Sequence, residues 1–79
     1  MTVENMARIT KTETCLAKLP EASKSYLKQF SRTAELCASE NVKRTNRGII
    51  GGYLRALVHV GIINEVECRV LHIYYTLNI

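Results

Sequence analysis

Cys68 and His72 stand four residues apart near the end of the sequence, a spacing that places both side chains on one face of a helix. A thiolate and an imidazole are ligands that zinc prefers, but a pair of ligands does not make a zinc site. Cys15, Cys37 or His59 would have to complete it, and nothing in the sequence brings them close. Because a free cysteine usually behaves as a small buried hydrophobe, we expect no metal site.

The same two side chains, Cys68 and His72, could form a thiol–imidazole pair for nucleophilic catalysis. That chemistry needs an oriented base inside a pocket, and the orienting group is usually a carboxylate. The sequence contains no Asp to orient the imidazole, and a helical chain of this length rarely encloses a substrate pocket. We therefore expect no enzymatic activity, no cofactor and no small-molecule substrate.

The basic side chains form two groups in a sequence whose formal net charge is +4. The first group recurs at spacings of four residues on one helical face, and the second lies in the stretch 43–64, which has no acidic residue. The two groups are Lys24, Lys28 and Arg32, and then Lys43, Arg44, Arg47 and Arg55. They form a candidate basic surface for nucleic acid, and the alternative is an ordinary solvated face.

Glycines gather beside the second basic group. Gly48, Gly51 and Gly52 fall on one side of a helical segment, together with Arg55 and His59. A glycine inside a helix costs up to about 1 kcal/mol relative to alanine, so the grouping suggests close approach of another backbone or of a ligand. The alternative is that the helix begins near Gly51 and that Gly48 belongs to a loop. A phosphate-binding loop of the Walker type is absent.

A tight turn around Gly61 joins the last two helices. Gly61 suits the left-handed residue that follows a helix C-terminus, and Asn64 with Glu67 has the form of a capping box. Such a short connection makes neighbours of helices 46–60 and 65–77, which form an αα-hairpin. The hairpin is not expected to recognise DNA, because the second helix begins with glutamates that would repel phosphates.

The last helix is apolar on two opposite faces, so either face could meet the rest of the fold. One face consists of Ile63, Val66, Val70, Ile73 and Leu77. We expect this face to pack on helix 46–60. The core that follows from this choice consists of Phe30, Tyr53, Leu57, Val66, Val70 and Ile73, with Ile49, Ile50, Leu54 and Val60 nearby.

The opposite face of the last helix carries Cys68, Leu71 and Tyr75. If the first forty residues cover this face, the protein is a monomer. If they do not, the face is a candidate interaction face, which would include Gly48 and Gly52 of the preceding helix. A two-fold pairing of the last helices would then be the simplest assembly.

The beginning of the sequence predicts short helices. Thr2 could cap a helix over residues 1–9, and Thr10 with Glu13 has the capping-box form that would start a second one. Pro20 should end that second helix, because proline cannot continue a helix without losing a hydrogen bond.

The middle of the sequence predicts one long helix over residues 20–39, followed by a polar connection at 40–43. This long helix should pack across the C-terminal hairpin. The fold class is therefore all-α, a small bundle of four helices, or five with the N-terminal turn, built around a C-terminal αα-hairpin. Residues 1–79 should form a single helical domain, with the first residues as a candidate disordered segment.

Cysteine usage and hydropathy bear on where the protein works. The three cysteines are widely spaced and form no CxxC motif, so they do not indicate a disulfide framework. The first residues lack the apolar core of a signal peptide, and polar residues interrupt the longest apolar stretch. We expect a cytoplasmic protein that does not enter a membrane.

The last thirty residues resemble a known pattern. It consists of Arg47-Gly48, Gly52-Tyr53-Leu54, Leu57, Gly61-Ile62-Ile63, Arg69, Leu71 and Tyr74-Tyr75-Thr76-Leu77. The pattern is similar to that of short uncharacterised helical proteins of gut Gram-positive bacteria, often encoded near integrative or conjugative elements. The resemblance implies a small cytoplasmic helical protein associated with a mobile element, without an established activity.

Two functions of different kinds are compatible with these observations. The first is a non-enzymatic helical module for protein–protein interaction, either with a protein partner or by self-association. The second is an accessory nucleic-acid-binding protein that uses its basic face. Measuring the mass in solution, with and without nucleic acid at two salt concentrations, separates them.

Overall fold

The structure, a computed structural model, describes the backbone of residues 3–79 and the side chains of residues 11–79. Four helices account for most of this part of the chain, and it contains no strand. They are α1 (Val3–Lys18), α2 (Glu21–Leu36), α3 (Glu40–His59) and α4 (Glu65–Thr76). The prediction of an all-α bundle of four helices is confirmed.

The first helix is longer than predicted. Residues 3–18 form one continuous helix, so the capping box predicted at Thr10 and Glu13 is wrong. A capping residue needs an extended backbone, whereas Thr10 lies inside a helix that no Gly or Pro interrupts. The helix proposed for residues 1–9 is therefore part of α1, and its cap, Thr2, lies outside the described residues.

The second and third helices meet at a sharper connection than predicted. α2 ends at Leu36 instead of residue 39, and the backbone of Cys37 is extended. Ser39 caps α3 by accepting a hydrogen bond from the Val42 N–H at 3.4 Å. Glu40 occupies the first turn of α3, where the helix dipole favours an acid. The predicted connection at 40–43 and the predicted start at residue 46 are therefore wrong.

The turn between α3 and α4 has the predicted geometry. Gly61 has a φ of 81°, in the left-handed region that glycine adopts without strain. The Ile62 N–H donates to the Leu57 carbonyl at 3.0 Å and the Gly61 N–H to the Val58 carbonyl at 3.1 Å, which is a Schellman motif. A capping box then starts α4, with both of its hydrogen bonds 2.8 Å long.

α2 packs across this hairpin, as predicted. The Ser23 and Tyr53 hydroxyls form a hydrogen bond of 2.9 Å between α2 and α3, and the ring of Tyr26 stacks on that of Tyr53. Ser31 donates a hydrogen bond of 2.6 Å to the Tyr75 carbonyl, which joins α2 to α4. These contacts hold three helices in one unit.

The core includes the face of α4 that was not expected there. Leu71 is completely buried, and Cys68 and Tyr75 are buried beside it, where α4 meets α1, α2 and α3. Val66 and Ile73 are 52% and 63% exposed, so their predicted burial is wrong. The molecule is 19 Å across its thinnest direction, about two helix diameters, so one face of α4 must remain outside.

The remaining predicted core residues divide between the interior and the surface. Leu57, Ile50 and Leu54 are buried, and Phe30, Tyr53 and Val70 are half-buried against the core. Val60 is 71% exposed because it lies at the C-terminal cap of α3, where the chain turns away.

Candidate functional site

A groove runs between α3 and α4 and has a volume of about 620 Å3. Three glycines and two arginines of α3 line one side, and Cys68, Arg69 and His72 of α4 line the other. The residues of this α3–α4 groove are Arg47, Gly48, Gly51, Gly52, Arg55, Cys68, Arg69 and His72. The groove is open to solvent along its length.

The groove glycines lie inside a helix, because α3 begins at Glu40. The alternative that Gly48 belongs to a loop is therefore wrong. A Cβ atom at Gly51 would lie 3.4 Å from the His72 ring, an ordinary contact, while one at Gly48 or Gly52 would meet nothing within 4 Å. Packing between α3 and α4 thus gives no reason for glycine at these last two positions, although each costs about 1 kcal/mol relative to alanine.

The charged groups that line the groove are all basic. Arg47 donates a hydrogen bond of 2.9 Å to the Ile79 carbonyl, which orients one guanidinium group along the groove wall. Arg55 is exposed and forms an ion pair of 3.3 Å with Glu65, outside the lining. Arg69 is exposed and has no ion pair among the residues that the structure describes. The groove therefore holds positive charge with little compensation.

Two residues of the groove were not among the predicted site residues. Arg69 and His72 belong to the polar stripe of α4, which the sequence presents as a solvated face. Their signal was the hairpin itself, since a short turn brings the polar edge of one helix beside the glycines of the other.

The predicted basic surface is divided between two grooves. Lys24 and Lys28 line a second groove of about 520 Å3, together with Glu21 and Tyr74, whereas Arg47 and Arg55 line the α3–α4 groove. Lys24 also forms an ion pair of 2.7 Å with Glu21. The second groove thus carries less net positive charge. Of the remaining predicted basic residues, Arg32 and Arg44 are exposed and Lys43 is half-buried.

The predicted interaction face is not accessible as a unit. Gly48 and Gly52 are exposed, but Cys68, Leu71 and Tyr75 are buried by the chain's own helices. Burial raises the pKa of the Tyr75 phenol to about 12, as expected for a side chain withdrawn from water. The exposure of Cys68, Leu71 and Tyr75 that an interaction face requires is therefore contradicted.

An apolar stripe is exposed on the other side of α4. Val66, Ile73 and Leu77 are 52%, 63% and 72% exposed, and Val70 between them is half-buried. These four residues, called the α4 stripe below, are spaced by four, three and four positions. Three large aliphatic side chains in a row on one face form a patch, whereas single exposed hydrophobic residues are common.

The thiols do not form a reactive centre in the described residues. All three cysteines are free, and burial raises the pKa of the Cys15 thiol, with the nearby Glu67 carboxylate adding to the shift. A protonated buried thiol is a poor nucleophile. Within residues 11–79, no three His, Cys, Asp or Glu side chains are close enough to hold a metal ion.

Comparisons with protein-family models, with curated proteins and with solved structures found no match to this chain. The resemblance of the last thirty residues to short helical proteins near mobile elements therefore stays a prediction. None of the helices in residues 3–79 is long and apolar enough to cross a membrane.

Proposed function

We propose that this chain is a non-enzymatic helical interaction module that pairs with a second copy of itself through α4. The observation that carries the proposal is the α4 stripe, in which Val66, Ile73 and Leu77 expose more than half of their surface. Water contact with such a row of aliphatic groups is unfavourable, and an apolar patch on a folded domain usually marks an interaction site.

The spacing of the α4 stripe favours another helix as the partner. Steps of four, three and four residues match the a and d positions of a heptad repeat. In an antiparallel pair with a two-fold axis between Val70 and Ile73, Val66 of one copy faces Leu77 of the other, and Val70 faces Ile73. This orientation separates the acidic first turns of the two α4 helices, which a parallel pair would bring together.

Light scattering over a concentration series tests the pairing. α4 is only 12 residues long, so we expect a weak dimer that forms as the concentration approaches about 1 mM. The wild type should shift from 8.9 kDa toward twice that mass. Ile73→Asp should remain a folded monomer, because a carboxylate in an apolar seam is strongly unfavourable.

Gln29→Asp is the matched control, since it adds the same charge at an exposed position of α2. It should leave the dimer unchanged. A wild type that stays monomeric over the whole series, or a dimer that survives Ile73→Asp, would contradict the pairing through α4.

The reducing cytoplasm is the proposed location. Three free cysteines, two of them buried, are compatible with a compartment in which thiols stay reduced.

A further inference from the structure

The α3–α4 groove concentrates a large share of the molecule's positive charge. Three guanidinium groups, those of Arg47, Arg55 and Arg69, line it without a carboxylate in the lining, while the whole chain has a formal net charge of only +4. Arg44 is also exposed and stands one helical turn before Gly48 on the same side of α3. Charge of one sign along a concave surface attracts a polyanion.

The glycines make the same surface accessible to a backbone or a chain. At Gly48 and Gly52, no atom of the described residues lies within 4 Å of where a Cβ would be, so the helix is bare at these positions. A ligand strand can therefore lie against the backbone of α3, with arginines on both sides. The structure has these features on one surface, whereas the second groove has lysines beside Glu21.

We propose that the α3–α4 groove binds the sugar–phosphate backbone of a nucleic acid without regard to its sequence. Arginine presents a planar fork of N–H donors that matches two oxygens of a phosphate group. Arg47 is held in place by its bond to the Ile79 carbonyl and still has donors to spare. The surface ion pair between Arg55 and Glu65 is exposed, so a phosphate can replace the carboxylate.

Sequence-independence follows from what the groove lacks. No aromatic side chain lines it, so bases have no ring on which to stack. A helix face of glycine backbone and arginine offers neither a free strand edge nor an apolar pocket, which are the usual anchors for a peptide. Contacts to phosphates fix a nucleic acid in place but carry no information on its sequence.

Fluorescence anisotropy measures the binding, with a labelled DNA single strand of about 16 nucleotides. The full chain is titrated at salt concentrations from about 25 to about 200 mM, a range over which counterion release changes affinity steeply. The double variant Arg55→Ser/Arg69→Ser removes two exposed cations from the groove. We expect it to lower the slope of log K against log salt by about two, near one for each lost phosphate contact.

Lys28→Ser/Arg32→Ser is the matched control, because it removes the same charge from exposed positions of α2 outside the groove. It should change the slope much less than the groove variant. Equal losses in the two variants would mean that net charge alone binds the strand, and this would overturn the assignment to the groove. Light scattering on both variants checks that the assembly state is unchanged.

Gly52→Leu separates shape from charge. The substituted side chain has room beside α3, so the protein should fold normally, and circular dichroism checks this. It should weaken DNA binding at least several-fold by filling the groove, without any change in charge. Unchanged binding by Gly52→Leu would overturn the proposal, as would the absence of binding at the lowest salt. Polyglutamate is the competitor, and equal affinity for it would assign the groove to acidic polymers instead.

Discussion

The two faces of α4 have similar composition and opposite positions in the molecule. Cys68, Leu71 and Tyr75 on one face are buried by the other helices, whereas Val66 and Ile73 on the other face are largely exposed. Both sets recur at helical spacing, so the helix alone does not distinguish them. Their difference teaches that an apolar helical face reports that a partner is needed, but does not say whether that partner is the same chain or another molecule.

A carboxylate placed on each face in turn gives the largest expected effect. Leu71→Asp should unfold the protein, because a buried unpaired carboxylate costs more than about 4 kcal/mol, close to the total stability of a chain this small. Ile73→Asp should stay folded, since Ile73 is 63% exposed. Circular dichroism with urea titration measures both. A folded Leu71→Asp, or an unfolded Ile73→Asp, would reverse the assignment of the two faces.

The charged residues at the start of α4 repeat the comparison with a smaller effect. Glu67 is buried, and hydrogen bonds from Lys18 and then from the Asn64 N–H lower the pKa of its carboxyl group. Because the folded-state pKa lies below the ordinary value of about 4.3, ionised Glu67 stabilises the fold above that pH. The stabilisation is lost as the pH falls through the folded-state pKa.

Glu67→Gln should therefore lower Tm at neutral pH, and the difference from the wild type should shrink as the pH falls below about 4.3. Glu65→Gln is the control on the outer side, where the side chain is 66% exposed and its ion pair with Arg55 contributes little. Thermal unfolding between pH 3 and pH 7, both approximate limits chosen around that pKa, measures both variants. A Tm difference independent of pH would mean that Glu67 acts only as a packing group.

Two neighbouring glycines of α3 give the smallest effect. Gly52→Ala should raise the free energy of unfolding by about 0.5–1 kcal/mol, because its Cβ enters open space and alanine favours the helix. Gly51→Ala should give less, since its Cβ contacts the His72 ring at 3.4 Å. Urea denaturation resolves the order. A destabilised Gly52→Ala would show that glycine at this position serves the fold and not the groove.

Part of the candidate site could be predicted from residue types alone. Arg47, Arg55, Gly48 and Gly52 stand out in the sequence because they combine charge with helix-weakening glycine in one acid-free stretch. Arg69 joins them only through the packing of α4 on α3. The basic residues of α2 looked equivalent in sequence, and only the structure assigns them to a different groove, which also contains Glu21.

The sequence by itself determined the local events of this fold. Pro20 stands at the junction of α1 and α2, and Gly61 with the Asn64–Glu67 capping box stops and restarts the chain between α3 and α4. Each of these depends on interactions within a few residues, such as a missing N–H, a left-handed glycine or a side chain that reaches a nearby backbone group. Neighbouring residues are sufficient to specify them.

The tertiary structure alone decided which face of α4 lies inside. The face of Leu71 and Tyr75 contacts helices that begin more than thirty residues earlier in the chain. The free energy of burial depends on the area that the whole set of helices removes from water, and no local pattern contains that sum. Two faces of nearly equal hydropathy are therefore separated only when all four helices pack together.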